Sequence, residues 1–271
     1  MRFQGRRLAA LVLSAVMLLQ CGCAKDNRKD PEPVERPDAT RDVSYVQKKG
    51  SLKVGITEYA PLDYLEDGHW VGFDAEMAKR FSEELGIETE FVEINWEKKV
   101  ALLEAGQIDC IWNGMTRTEE LSDTISCTDC YLSNAQVMVI PESKHKIYNT
   151  EELCAQFLFS VEEGSAAEDI CKEKAYRFRA YDTQKQALAA VDKGEVDAAV
   201  LDLLMAVTLT GEGTDYGKLV YDFPQNEEQF CVGFRKDSDL TEVWNTFFTE
   251  HYVAFEELAK EYGMEEALLT P

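Results

Sequence analysis

Ala101-Leu-Leu-Glu-Ala-Gly106-Gln-Ile-Asp109-Cys-Ile111 and Leu188-Ala-Ala-Val-Asp-Lys-Gly194-Glu-Val-Asp197-Ala-Ala199 follow one pattern. Each reads as the end of a helix, a glycine stop, one polar residue, a β-branched apolar residue, an aspartate and then an apolar strand. The copies stand about 90 residues apart, far too long for a solenoid repeat. Two α/β units built on the same module account for the spacing. Any helix–strand junction can converge on this pattern, so the repeat is weighed together with its surroundings.

Those surroundings keep the same rhythm. Leu52–Ile56 reads as a strand, followed by a turn through Pro61. Asp74, after Gly72-Phe73, is placed to cap a helix running to Leu85, with Gly86 as its stop and Met77, Ala78, Phe81 and Leu85 as its apolar face. Thr89–Ile94 alternates like a strand, Glu97–Ala105 reads as a helix, and Ile108–Trp112 as the next strand. Strand–helix–strand repetition predicts parallel sheet covered by helices. Ligands of such sheets sit where strand carboxyl ends meet loops and helix N-termini. Two segments fit that place. Asn113-Gly-Met-Thr116-Arg-Thr118 follows the first module's strand. Glu163-Gly-Ser165-Ala-Ala167 follows the strand Phe157–Val161 and opens a helix through Glu168 to Cys171. Facing one another, they would form a cleft.

The N-terminus indicates the compartment. Arg2, Arg6 and Arg7 precede an apolar run, Leu8–Leu19, too short to span a bilayer but suited to a secretory signal. Residues 1–22 are therefore expected to be a signal peptide. Gly22 supplies the small residue before Cys23 in what resembles a bacterial lipobox, so Cys23 is the expected lipid-bearing N-terminus; Cys21 follows the bulkier Gln20. Residues 23–43, charged and carrying Pro31, Pro33 and Pro37, read as a disordered tether. No second apolar stretch approaches spanning length.

The formal net charge is −23, or −26 once residues 1–22, with three arginines and no acid, are removed. Such a field repels phosphate backbones and argues against nucleic acid as a partner. Six cysteines follow Cys23: Cys110, Cys127, Cys130, Cys154, Cys171 and Cys231. In an exported chain they suggest disulfides. Cys127-x-x-Cys130 has metal-ligand spacing, but no second such pair appears and His69, His145 and His251 are scattered singly, so no metal is expected. Gly211-Glu-Gly-Thr-Asp-Tyr-Gly217 has the wrong spacing for a dinucleotide loop, and no Ser/His/Asp set is visible. No cofactor is implied. Cys154 precedes the strand that climbs toward the cleft and Cys171 lies on the helix that descends from it, so a disulfide between them is expected.

The chain from about Lys49 to Tyr262 resembles the polar amino-acid family (family 3) of bacterial ABC-transporter solute-binding proteins. The matching stretches are Gly50-Ser-Leu-Lys-Val-Gly55, the Pro61 turn, Gly72-Phe-Asp74, Gly106 to Thr116, Gly164-Ser165, Val196 to Asp202 and Val232-Gly-Phe-Arg-Lys236. The resemblance implies a two-lobed periplasmic-binding-protein-like fold of type II. Lobe 1 would comprise residues 44–132 plus 231–271 and lobe 2 residues 136–227, joined by hinge strands near Tyr131–Gln136 and Gln225–Cys231. It implies a monomer that captures an amino acid or amine and delivers it to an ABC permease. A ligand-sensing domain, or an enzyme on the same scaffold similar to cyclohexadienyl dehydratase, is the alternative.

The ligand contacts that the resemblance implies fall unevenly on this sequence. Tyr59 and Trp96 match aromatics that flank the ligand; Asn113, Gly114 and Thr116 match a carboxylate-contacting loop. Ser165 with the Ala166 amide matches a second carboxylate contact, and Asp202 the acid that pairs with an ammonium; Asp202 also reads as a helix N-cap. Leu121 stands where the family usually places an arginine. Arg117 is the available substitute, although an extended loop would turn it away from Thr116. Glu58 and Glu162 add negative charge. The balance points to a cationic ligand, a basic amino acid or related amine.

Overall fold

The structure is a computed structural model that describes residues 38–271. The expected signal peptide, Cys23 and the tether as far as residue 37 lie outside the described residues.

β1 (Ser51–Ile56) buries Leu52, Val54 and Ile56 completely, and most of its other positions too, as an interior parallel strand requires. A hairpin of β2 (Tyr64–Glu66) and β3 (His69–Val71) leads into the helix Phe73–Glu84 and back through β4 (Glu88–Glu93). β4 exposes its three glutamates, which protects a sheet edge from pairing further. After the helix Lys99–Glu104 the chain forms β5 (Cys110–Thr116). β1 lies between β4 and β5, parallel to both. A second parallel group is made by β8 (Leu158–Glu162), β9 (Arg177–Tyr181) and β10 (Ala198–Asp202), following the short β6 (Ser126–Cys127) and the long β7 (Leu132–Pro141). β11 (Leu219–Phe234) completes the order β4-β1-β5-β11-β7-β10-β8-β9, with β6 paired to β11. β7 and β11 run antiparallel to each other, and between them they connect the two parallel groups.

The repeated motif performs the same task twice. Asp109 accepts the Lys53 amide at 2.7 Å and the Lys49 ammonium. Asp197 accepts the Leu158 amide at 3.0 Å and the Lys144 ammonium. Each aspartate thus ties its own strand to the parallel neighbour and neutralises its charge with a lysine. These two aspartates are joints of the scaffold.

Three expectations are corrected. Gly72 (φ 121°), not Asp74, caps the helix Phe73–Glu84, and a Cβ there would fall 2.2 Å from the Leu62 carbonyl oxygen. Asp74 lies inside the first turn, where its carboxylate accepts the Gly114 amide at 2.9 Å and the Tyr131 hydroxyl at 2.7 Å. Cys154 and Cys171 are free thiols, and no disulfide occurs among the described residues. Both sit in the apolar cluster with Phe157 and Phe159, and Cys154 Sγ donates to the Tyr148 carbonyl at 3.6 Å, so packing employs them as small apolar groups. Residues 39–43, expected within the tether, are helical instead. The helix Asp42–Lys49 opens with a buried aspartate, which accepts Arg235 Nε at 2.7 Å and the Ser238 hydroxyl at 2.7 Å.

The C-terminal helices Leu240–Glu250 and Tyr252–Glu261 return to the β1 side of the sheet. Trp244 meets Trp112 of β5 edge-on, ring centres 5.7 Å apart, and Tyr131 at the same separation. Such aromatic contacts contribute about 1 kcal/mol each beyond the area they bury. Among the described residues no helix is long and apolar enough to cross a membrane.

Candidate ligand-binding site

The carboxyl ends of β1, β5, β8 and β10 converge on a cavity of about 310 Å³. That lies at the lower end of the roughly 300–1,000 Å³ common for small-molecule sites. Of the ligand contacts expected from sequence, Tyr59, Trp96, Asn113, Gly114, Thr116, Ser165, Ala166 and Asp202 line it, and so does Glu162. Two do not. Glu58 forms an ion pair with Lys185 instead, across from the helix Gln184–Asp192. Arg117 is exposed, and its guanidinium reaches the Thr128 carbonyl at 3.5 Å, away from the cavity. Extended backbone after Thr116 turns the next side chain to the opposite side, as the alternation of strand side chains requires.

Several of the lining groups are already engaged. Gly114 (φ 59°) donates its amide to Asp74, and a Cβ there would fall 2.8 Å from the Tyr59 ring. Ser165 caps the helix Ala166–Glu173 by accepting the Glu168 amide at 3.3 Å, while its hydroxyl donates to the Glu162 carbonyl at 2.7 Å. Glu168 reaches back to the Gly164 amide at 2.7 Å, completing a reciprocal cap. The amides of Ala166 and Ala167 remain at the helix start. Leu121 does face the cavity and brings no donor with it.

The acids are more tightly built. Asp202 does not cap the helix after it with its side chain. Its Oδ1 accepts the amide groups of Asn134 at 2.6 Å and Gln136 at 2.9 Å, and its Oδ2 accepts that of Gln184. The same two amides donate to Glu228 Oε1 at 2.6 and 2.9 Å, and the Thr116 hydroxyl donates to Glu228 Oε2 at 3.0 Å. Burial, then the adjacent Glu228 charge and a hydrogen bond with it, hold the Asp202 carboxyl well above the usual carboxylate range. Glu162 is 3% exposed, its Oε1 has no partner, and burial pushes its carboxyl up to about 8, with Lys99 pulling it back. Unpartnered buried atoms at Tyr59 (hydroxyl), Asn113 (Nδ2) and Gln136 (Oε1) complete the polar lining.

Lys99, Gln136, Gln184 and Glu228 were not singled out by sequence reasoning. Gln136 and Glu228 fell within the expected hinge crossings, where Asn134-x-Gln136 and Asn226-x-Glu228 repeat polar residues at the strand period. On β7 the alternation of Asn134 and Gln136 with Ala135 and Val137 was the available signal, whereas Gln225–Gln229 on β11 is polar throughout and gave none.

Residues 52–264 match the family described as bacterial extracellular solute-binding proteins, family 3. The chain belongs to that family. This solute-binding protein is 27% identical over 208 residues to the arginine-binding extracellular protein ArtP of Bacillus subtilis, covering 75% of this chain and 81% of that one. It is 25% identical to the arginine-bound form of truncated ArgBP from T. maritima, with a TM-score of 0.69 over 76% of this chain and 99% of that chain. The ancestral amino acid-binding protein AncCDT-1, a precursor of cyclohexadienyl dehydratase, gives a TM-score of 0.74 at 24% identity, covering 81% of this chain and 98% of that one. At that identity the likeness is one of fold. The fold of this solute-binding protein is the type II periplasmic-binding-protein architecture.

Proposed function

We propose that this protein is the extracytoplasmic receptor of an ABC importer and that it captures a basic amino acid or related cationic amine. One observation carries the choice of ligand. Glu162 and Asp202 present buried carboxyl groups to a cavity whose lining contains a single cationic side chain, Lys99, among the described residues. A ligand that leaves those acids unpaired is penalised, while one carrying a cation satisfies them. The arginine-binding relatives named above support the same choice. Asp202 would hold the α-ammonium and Glu162 the distal cation.

The rest of the reading follows from family membership. Residues 44–132 with 231–271, and 136–227, would act as two lobes hinged where β7 and β11 cross; closure about a hinge is known behaviour of periplasmic binding proteins. A lipid on Cys23 would hold the receptor near its permease. The role is binding, not catalysis. Calorimetry with arginine, lysine, a diamine, glutamine and glutamate tests the reading. Binding confined to the first three is expected; tight glutamate binding with none for the cations would overturn it. Recovery of unaltered ligand from the complex would separate a receptor from an enzyme.

A further inference from the structure

We propose that Lys99 binds the ligand's α-carboxylate, taking the part that Leu121 cannot play. This rests on the reading of the ligand as an amino acid with a second, cationic end. A carboxylate entering the cavity needs a positive partner or several neutral donors. Leu121 lines the wall without a donor, and Arg117 is directed at the Thr128 carbonyl outside it. Lys99 is the cationic side chain that remains.

Its ammonium is already placed for the purpose. It lies over the Trp96 ring, 4.7 Å from the centroid, and donates to the Trp96 carbonyl at 3.3 Å and the Gly164 carbonyl at 2.9 Å. An ammonium has three protons, so one is left for the cavity. The Gly164 contact sets the charge beside the start of the helix Ala166–Glu173, whose Ala166 amide also lines the cavity. Charge and helix-start amide therefore converge on one spot, the combination that anions favour. Asn113 Nδ2, unpartnered and buried, supplies a further donor to the lining. Burial lowers the affinity of Lys99 for its proton, which nearby acids only partly offset, and the ammonium is hydrogen-bonded to two carbonyls with no carboxylate of its own. A ligand carboxylate would give it one.

The test compares ligands with and without the carboxylate: arginine against agmatine, and lysine against cadaverine. Calorimetry is run on the full-length protein and on Lys99→Met and Lys99→Arg, with melting curves to confirm folding. The unmodified protein should prefer each amino acid to its decarboxylated partner by tenfold or more. Lys99→Met should erase that preference by weakening the amino acids about tenfold while leaving the amines unchanged or tighter. Lys99→Arg should restore it. Equal losses for amino acids and amines in Lys99→Met would show Lys99 acting only as a brace to Gly164 and would overturn the proposal, as would no loss at all. If the unmodified protein binds neutral amino acids and no cations, the basic-ligand reading fails. The same comparison, made with glutamine and its decarboxylated amine, then still decides the role of Lys99.

Discussion

Asp202 and Glu228 lie on strands either side of β7, and the side-chain amides of Asn134 and Gln136 each donate to both, at 2.6 and 2.9 Å. Register explains the arrangement: Asp202 pairs with Gln136 and Glu228 with Asn134, while residues two apart on β7 share one face. The strands that link the two parallel groups, β7 and β11, therefore hold in place the acid that faces the cavity, Asp202 at the end of β10.

Replacing Glu228 with glutamine should lower the proton affinity of Asp202, since the neighbouring charge is a leading cause of its elevation after burial. Binding of a cation should then gain most at the acid end of a pH series and least at the alkaline end, relative to the unmodified protein. Asp202→Asn should lose binding about a hundredfold throughout. Calorimetry across the series reads both effects, and an unaltered pH profile in Glu228→Gln would refute the coupling of Asp202 to its neighbour.

Glu162 sets a second pH dependence. Its carboxyl is raised to about 8 by burial, so the empty site at neutral pH mostly holds a proton that a cationic ligand must displace. Affinity should therefore rise with pH, by about tenfold between pH 7 and pH 9, and level off above. Titrations in buffers of different ionisation enthalpy should register proton release, and Glu162→Gln should reduce it, leaving the part due to Asp202.

Asp74 should shape stability in the opposite range. Burial raises its carboxyl from the usual value to about 7, and the buried Asp63 beside it is raised as well. A carboxyl whose folded-state pKa is raised stabilises most where it is protonated in both states. That contribution is lost as pH climbs from about 4 through about 7. Melting temperature against pH should flatten across this window in Asp74→Asn, with Asp63→Asn flattening it further.

The pair Asp42–Arg235 ties the helix Asp42–Lys49 to the residue that follows β11. The Asp42 side chain is 6% exposed and that of Arg235 17% exposed, and Nε reaches both carboxylate oxygens at 2.7 and 2.9 Å. Asp42→Ala removes the carboxylate from a largely buried ion pair and should cost about 3 kcal/mol in denaturant unfolding. Asp42→Asn, which keeps the shape and loses the charge, should cost less.

The scaffold was legible because its signals are local. Glycine stops, apolar runs and the repeated Gly-x-x-Asp corner each announce an element within about ten residues. The lining loops could be read for the same reason, since they follow strands directly. Glu58 was misplaced because a side chain's direction at a loop depends on the backbone turn, which spacing alone does not give; Arg117 turns away from Thr116 as the alternation of an extended loop implied. Lys99 escaped notice because a lysine early in a helix ordinarily points into water. Its place in the cavity comes from Gly164, 65 residues further on. Asp74 misled because Gly72, with its left-handed backbone, took the capping position two residues earlier.

The contact between Asp42 and Arg235 spans 193 residues of chain. Contacts of such separation form late, since the loop they close must first be ordered by other means. In a polypeptide made N-terminus first, Asp42 precedes its partner by 193 residues, so the ion pair can close only once nearly the whole chain is available.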